Sequence, residues 1–189
     1  MILNFKEQFP WTPVRPTHFK DSILASLYQH HPDWISDEYR SDYARMQSVG
    51  ARKLQKVHDI RPGDRWAIGD TIHFATGART SHYDCFAVGE VTGVQSIWIE
   101  SVSPKEATVS IDYQMVHHEK LAMIAFHDGL SAQDFYRWFW HHYGRRDQSF
   151  RGQLIHWTDL RYDERISEPP KVLPDLRGQT SLFPNAGGR

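Results

Sequence analysis

Short segments that alternate apolar with polar residues, or run apolar for a few positions, fill the middle of this chain. Helical spacing is concentrated near its start and over residues 131–144. Ile2-Leu3-Asn4-Phe5 reads as a short buried strand, ended by the turn-forming Pro10, Pro13 and Pro16. Thr17 is placed to cap a helix running to about residue 29, with Phe19, Ile23, Leu24 and Leu27 on one face. Residues 36–47 read as a second helix, with Ser36 as cap and Tyr39, Tyr43 and Met46 at helical spacing. Residues 71–75, 85–94, 96–102 and 107–113 read as strands, and 152–157 as a closing strand. Ser131 is placed to cap a helix with an acidic first turn. Its Phe135, Trp138, Phe139 and His142 share a stripe, and Gly144 ends it. Many short strands with a few helices at the edges predict an α+β fold, a small barrel with peripheral helices. Beyond residue 162, Glu168-Pro169-Pro170, Pro174, Pro184 and Gly187-Gly188 deny the chain a ladder or a helix, so 1–162 is expected to form one domain and 163–189 an extended tail.

Composition narrows the function classes. Apolar residues at 40% and seven tryptophans supply a packed interior and exclude a disordered chain. No apolar run approaches the roughly 20 residues needed to cross a bilayer, and the first residues lack the cationic and apolar regions of a secretory signal. The single cysteine, Cys85, excludes an internal disulfide and a CxxC motif; it reads as a small buried apolar residue, and a cytoplasmic location is expected. A net charge of −1 excludes a bulk counterion-release binder of nucleic acid, so any such contact must come from a local patch. Twelve histidines make that balance sensitive to pH between about 6 and 7. The pairs His30-His31, His117-His118 and His141-His142 are poor chelates, because adjacent side chains point apart; solvated or capping roles fit them better, and neither a metal nor another cofactor is expected.

The chemistry concentrates in Lys56-Val57-His58-Asp59-Ile60-Arg61, which closes a basic segment and is followed by a Pro62-Gly63 turn. If extended, Lys56, His58 and Ile60 face one way and Val57, Asp59 and Arg61 the other; only a kink brings Lys56 and Asp59 together. The alternatives are a solvated charged loop and a charged site.

Five segments, in order, carry a resemblance: Phe-Lys-Asp-Ser-Ile-Leu-Ala at 19–25, Lys-Val-His-Asp-Ile-Arg at 56–61, Trp-Ala-Ile-Gly-Asp at 66–70, Asp-Gly-Leu-Ser at 128–131 and Phe-Arg-Gly-Gln-Leu-Ile-His-Trp at 150–157. Together they resemble the ASCH branch of the PUA-like β-barrels, over most of residues 1–160. The resemblance implies a barrel with a cleft between the Lys-x-x-Thr-Ile-Arg turn and the loop before the last helix. It also implies that residues 26–50 are an inserted helical segment at the cleft mouth. Some small members are amidohydrolases that deacylate acetylcytidine, with lysine as base, threonine as nucleophile and a glutamate as acid. Those positions fall here on Lys56, Asp59 and Asp128. A carboxylate does not replace a hydroxyl as an acyl-transfer nucleophile, so the Lys56–Asp59 pair either orients a water, with Asp128 as proton shuttle, or is an ion pair at a site that only binds.

Arg61, Trp66 and Arg79 are candidates for stacking a nucleobase and reading its edge. In the tail, Gln179, Leu182 and Phe183 fall in a Gln-x-x-Leu-Phe pattern that resembles the peptide by which bacterial proteins dock on the sliding clamp, its apolar pair filling a pocket. The leading expectation is a nucleic-acid or modified-nucleobase binding module, with RNA, DNA or a nucleoside as partner and no membrane. The alternatives are a hydrolase acting on acylated cytidine or on RNA, and an interaction protein recruited to the sliding clamp.

Overall fold

The computed structural model describes residues 1–41, 56–100, 103–144 and 149–162. Its strands fall into three sheets. β1 (Ile2–Phe5), β5 (Thr71–Thr76) and β6 (Asp84–Glu90) form one, in the order β1-β5-β6. β4 (His58–Pro62), β7 (Gly93–Glu100), β8 (Thr108–Ile111), β9 (Gln114–Met115) and β10 (Ser149–His156) form the second, in the order β4-β10-β7-β8-β9. β2 (Gln8–Phe9) and β3 (Thr12–Pro16) make a hairpin. Helices α1 (Phe19–His30), α2 (His118–His127) and α3 (Ala132–Phe139) complete the α+β fold, with a 3-10 turn over Pro32–Trp34 and helical residues at 37–41.

The expected barrel does not close among the described strands. The chain crosses from one sheet to the other at Val91-Thr92, between β6 and β7, and the opposite edges, β1 and β4, share no ladder. A side chain spans that seam: Arg61 of β4 donates from Nη2 to the carbonyl of Asn4 in β1 at 2.8 Å. The two larger sheets meet instead through their inner faces. Leu3, Phe5, Phe74 and Phe86 share one buried cluster with Ile97, Leu154 and Trp157, and Phe74 meets Trp157 edge-on at 5.1 Å. Each large apolar side chain buried there stabilises the fold by about 1.5–3 kcal/mol.

Several expectations are corrected. The segment 85–94 is not one strand. Thr92 turns its N–H to the His156 carbonyl, Arg161 donates to the Thr92 carbonyl, and a Cβ at Gly93 would meet the Arg161 guanidinium at 2.1 Å, so the corner is built around a glycine. The strand read at 107–113 ends at Ile111, because Asp112 (φ 48) and Tyr113 (φ 67) form the tight turn into β9. The prolines before α1 sit on a two-stranded hairpin, where a missing N–H is tolerated. His18, not Thr17, occupies the N-cap position of α1, at φ 59 with no side-chain cap bond; the Thr17 hydroxyl donates to the Lys6 carbonyl at 2.5 Å and accepts from the N–H of Phe19, the first helical residue, at 3.4 Å. Cys85 is half-buried, its Sγ 3.5 Å from the Ala87 carbonyl.

The buried face of α1 carries Phe19, Ile23, Leu24 and Leu27, as the spacing predicts. Ser131 caps α3 by accepting from the Asp134 N–H, and the helix passes into a π-turn over Trp140–Gly144. The helical reading of 36–47 meets helical residues at 37–41; Tyr43 and Met46 lie outside the described residues, as do Gln179, Leu182 and Phe183. Among the described residues no helix is long and apolar enough to cross a membrane.

Candidate functional site

The alternation of a strand fails at Lys56, and that failure builds the site. Lys56 donates its N–H to the Ser22 carbonyl in α1, and Val57 donates to the His127 carbonyl at the end of α2. Lys56 thereby forms an isolated bridge with Asp128, and the regular strand begins only at His58. The kink turns the Lys56 ammonium back onto its own chain, where Nζ lies 2.9 Å from Asp59 Oδ1, and across to Asp128, at 2.5 Å from Oδ1 and 2.9 Å from the carbonyl oxygen. Both Asp128 oxygens accept from this ammonium and Asp59 Oδ1 pairs with it as a salt bridge, so three oxygens lie within 2.9 Å of a nitrogen whose residue is 1% exposed. A lysine so engaged holds the site together.

The end of α2 places Asp128. Leu130 donates to the Ala125 carbonyl and Gly129 to the Phe126 carbonyl, the paired bonds of a Schellman motif, with Gly129 left-handed at φ 77. Asp128 is the last residue inside this cap, and its carbonyl, at the negative end of the helix, faces the ammonium. A Cβ on Gly129 would press on Phe19 Cδ1 at 3.2 Å and meet the Lys56 stem at 3.4 Å, an ordinary contact, so it is the left-handed backbone and Phe19 that favour a glycine here.

Arg61 completes the network. Its Nε donates to Asp59 Oδ2, and its guanidinium, like the Lys56 ammonium, lies against the ring of Phe5, with Phe19 closing the other side of the lysine. Two cationic side chains thus face two carboxyl groups. Arg61 is the member that reaches solvent, its side chain 28% exposed against 10% or less for the others.

The two carboxyl groups are driven apart. Burial pushes Asp59 up, but the Arg61 and Lys56 charges outweigh it and hold it below the ordinary carboxylate range. Burial pushes Asp128 up to about 7; the Lys56 charge opposes this and the Asp59 charge adds to it. One carboxylate thus stays ionised while its neighbour exchanges a proton near neutrality, a division of roles common at functional sites.

Behind Asp128 lies a buried cluster that sequence reasoning missed: His58, His127, His156 and Tyr162. The Tyr162 hydroxyl sits 3.2 Å from His58 Nδ1 and 3.1 Å from His127 Nδ1, and His58 Nε2 is 3.9 Å from Asp128 Oδ1. Burial lowers His58 well below its ordinary value, with the His156, Lys56 and His127 charges adding; it lowers His127 to about 4 and His156 to about 3. The only local signal was His58 itself, on the same strand face as Lys56.

Of the predicted residues, the structure brings together Lys56, Asp59, Arg61 and Asp128. Trp66 lies elsewhere: its ring is 3% exposed within the core, and Gln153 bonds both its backbone N–H and its carbonyl, so it offers no open face to a base. Arg79 is exposed in the turn after β5 at φ 67; the neighbouring Ala78 N–H bonds the Asn4 side chain, placing this turn beside the strand that Arg61 grips. The histidine pairs sit apart from the site: His31 stacks on Trp34 at 4.0 Å, and His142 packs on Trp138. Among the described residues no three His, Cys, Asp or Glu side chains are grouped to hold a metal ion.

No protein-family model matches the chain, and neither a curated protein nor a solved structure matches it.

Proposed function

We propose that this chain is a nucleic-acid or modified-nucleobase binding module of ASCH type, with the Lys56–Asp59–Arg61–Asp128 network as its site. The observation that supports this most is the convergence of four charged residues into one buried network with a single partly exposed member. Asp128 reaches it from 72 positions beyond Lys56. Such a network fixes Arg61 at the rim, where its planar guanidinium can meet a base edge or a phosphate. The ordered resemblance in sequence supplies the ligand class.

A second reading, a hydrolase acting on acylated cytidine, is favoured by one feature: Asp128 titrates near neutrality, as a general acid or base must. Against it stand the fully engaged Lys56 ammonium and the carboxylate at the nucleophile position.

The test is titration of the full-length protein with cytidine, acetylcytidine and short RNA and DNA oligomers, followed by NMR shifts at 56–61 and 128–129, with turnover read by mass spectrometry. Binding that weakens at least tenfold in Arg61→Ala, without turnover, supports the module. Turnover that disappears in Asp128→Asn and rises in Asp59→Thr promotes the hydrolase. No response to any probe removes both. The tail carries its own proposal: deletion of 163–189 should abolish capture on a bacterial sliding clamp and leave nucleoside binding unchanged.

A further inference from the structure

We propose that Tyr162 and His58 form a proton relay that joins the half-buried His127 to Asp128, with Tyr162 as the positioning residue that sets its direction. The inference rests on the reading of the Lys56 network as a ligand site, and supplies the route by which Asp128 gains or loses its proton.

Tyr162 is the last described residue, yet it is built into the fold. Gln95 accepts from its N–H at 2.8 Å and donates to its carbonyl at 2.9 Å, and its ring is 9% exposed, edge-on to His58. Its hydroxyl stands between two imidazole nitrogens and can donate to only one of them. Donation to His58 Nδ1 leaves His127 Nδ1 as the donor to Tyr162, and puts the remaining His58 proton on Nε2. That nitrogen is wholly buried and makes no hydrogen bond, and it faces Asp128 Oδ1 at 3.9 Å, about 1 Å beyond hydrogen-bond distance. The opposite orientation leaves a bare His58 Nε2 facing Asp128, which suits only the protonated carboxyl; with Asp128 ionised the first orientation holds. The chain therefore reads His127 Nδ1–H to Tyr162 Oη–H to His58 Nδ1, and His58 Nε2–H toward Asp128.

One proton enters at His127 Nε2. The His127 Nδ1–H bond breaks as a Tyr162 O–H forms, the original Tyr162 O–H passes to His58 Nδ1, and the His58 Nε2 proton goes to Asp128 Oδ1. Each bond broken is matched by one formed, and no member keeps a charge. That suits its surroundings: burial holds all three histidines neutral and raises the Tyr162 hydroxyl well above its ordinary value, with Asp128 adding. The groups facing the relay are Lys56, Asp59 and Arg61 on the Asp128 side, and His156 of β10 at 5.5 Å from His58, whose own neighbours are Arg161 and Asp112.

The experiment uses full-length, isotope-labelled protein without ligand. Long-range proton–nitrogen spectra report the His58 tautomer, and carboxyl carbon shifts report the Asp128 midpoint, in wild type and in Tyr162→Phe. The expected result is His58 protonated on Nε2 in wild type. In Tyr162→Phe the tautomer should become mixed and the Asp128 midpoint should rise by about half a unit or more, because the His58 N–H dipole that faces its ionised form is no longer held in place. His58 protonated on Nδ1 in wild type overturns the relay, even if the variant does not fold. An unmoved Asp128 midpoint in a folded variant overturns it too. Adding cytidine to the same samples separates the two claims: binding with a failed relay sinks only this inference, and an intact relay without binding sinks only the ligand reading.

Discussion

Replacing Lys56 by methionine tests the ion network most directly. The substitution keeps the length of the stem against Phe5 and Phe19 and removes the charge that three oxygens now share. Asp59 keeps Arg61, but Asp128, 5% exposed, is left without a cation in contact. Removing one partner of a buried ion pair costs about 3–5 kcal/mol, most of it the burial of the stranded charge. For a chain of this size that corresponds to a fall in Tm of roughly 6–20 °C. The loss should shrink as pH falls through about 7, where Asp128 takes a proton, and the variant should take that proton at higher pH than wild type because the opposing Lys56 charge is gone. It should also shrink in Lys56→Met with Asp128→Asn, because no buried carboxylate then lacks a partner. Urea unfolding at pH 7.5 of wild type, both single variants and the double variant closes the cycle, with an expected coupling of at least about 1 kcal/mol. Single-variant losses that add within about 0.5 kcal/mol, or a Lys56→Met loss below about 1 kcal/mol, would refute the reasoning.

Two further outcomes follow from the same site. Asp128 binds its proton more tightly folded than unfolded, so its contribution to stability falls as pH rises from about 4 to about 7, while the buried neutral histidines contribute the opposite slope up to about 6.5. Asp128→Asn should therefore steepen the rise of stability with pH across that window, by up to about 1.4 kcal/mol per pH unit; an unchanged slope in chemical unfolding at pH 4.5, 5.5 and 6.5 would contradict this. Gly129→Ala should cost about 1–2 kcal/mol, because alanine is strained at φ 77 and its Cβ would press on Phe19, and a variant as stable as wild type would show that the cap can relax.

What was legible in the sequence was local. The face of α1 and the Ser131 cap follow from spacing and from one hydroxyl three residues before an acceptor-seeking N–H. α2 was missed although Leu121, Ile124 and Ala125 mark its buried stripe, because its polar residues, among them His118, Glu119 and Lys120, dilute the pattern. The meeting of Lys56 with Asp59 could be stated only as a conditional kink. The cause of that kink, bonds to Ser22 and His127, is spread over more than 100 positions. Asp128 entered through a resemblance, whereas His58, His127 and Tyr162 are joined across separations of 104 and 35 residues that leave no periodic trace. Trp66 shows the converse: an aromatic among charged neighbours reads as a surface contact until tertiary packing covers it.

The seam between β1 and β4 has a kinetic meaning. Two sheets that share a continuous chain at one corner and are tied by a single guanidinium at the other resemble a book with a spine and a clasp. Opening the clasp breaks one side-chain bond at that edge and leaves both ladders intact, so the facing amides of β1 and β4 should exchange with solvent through a shallow opening, well short of global unfolding. Because the clasp is Arg61, an anion that draws its Nη2 away competes with the Asn4 carbonyl for that donor. Occupancy of the site would then be written in the exchange rates of β1, which meets the network through Asn4 and Phe5.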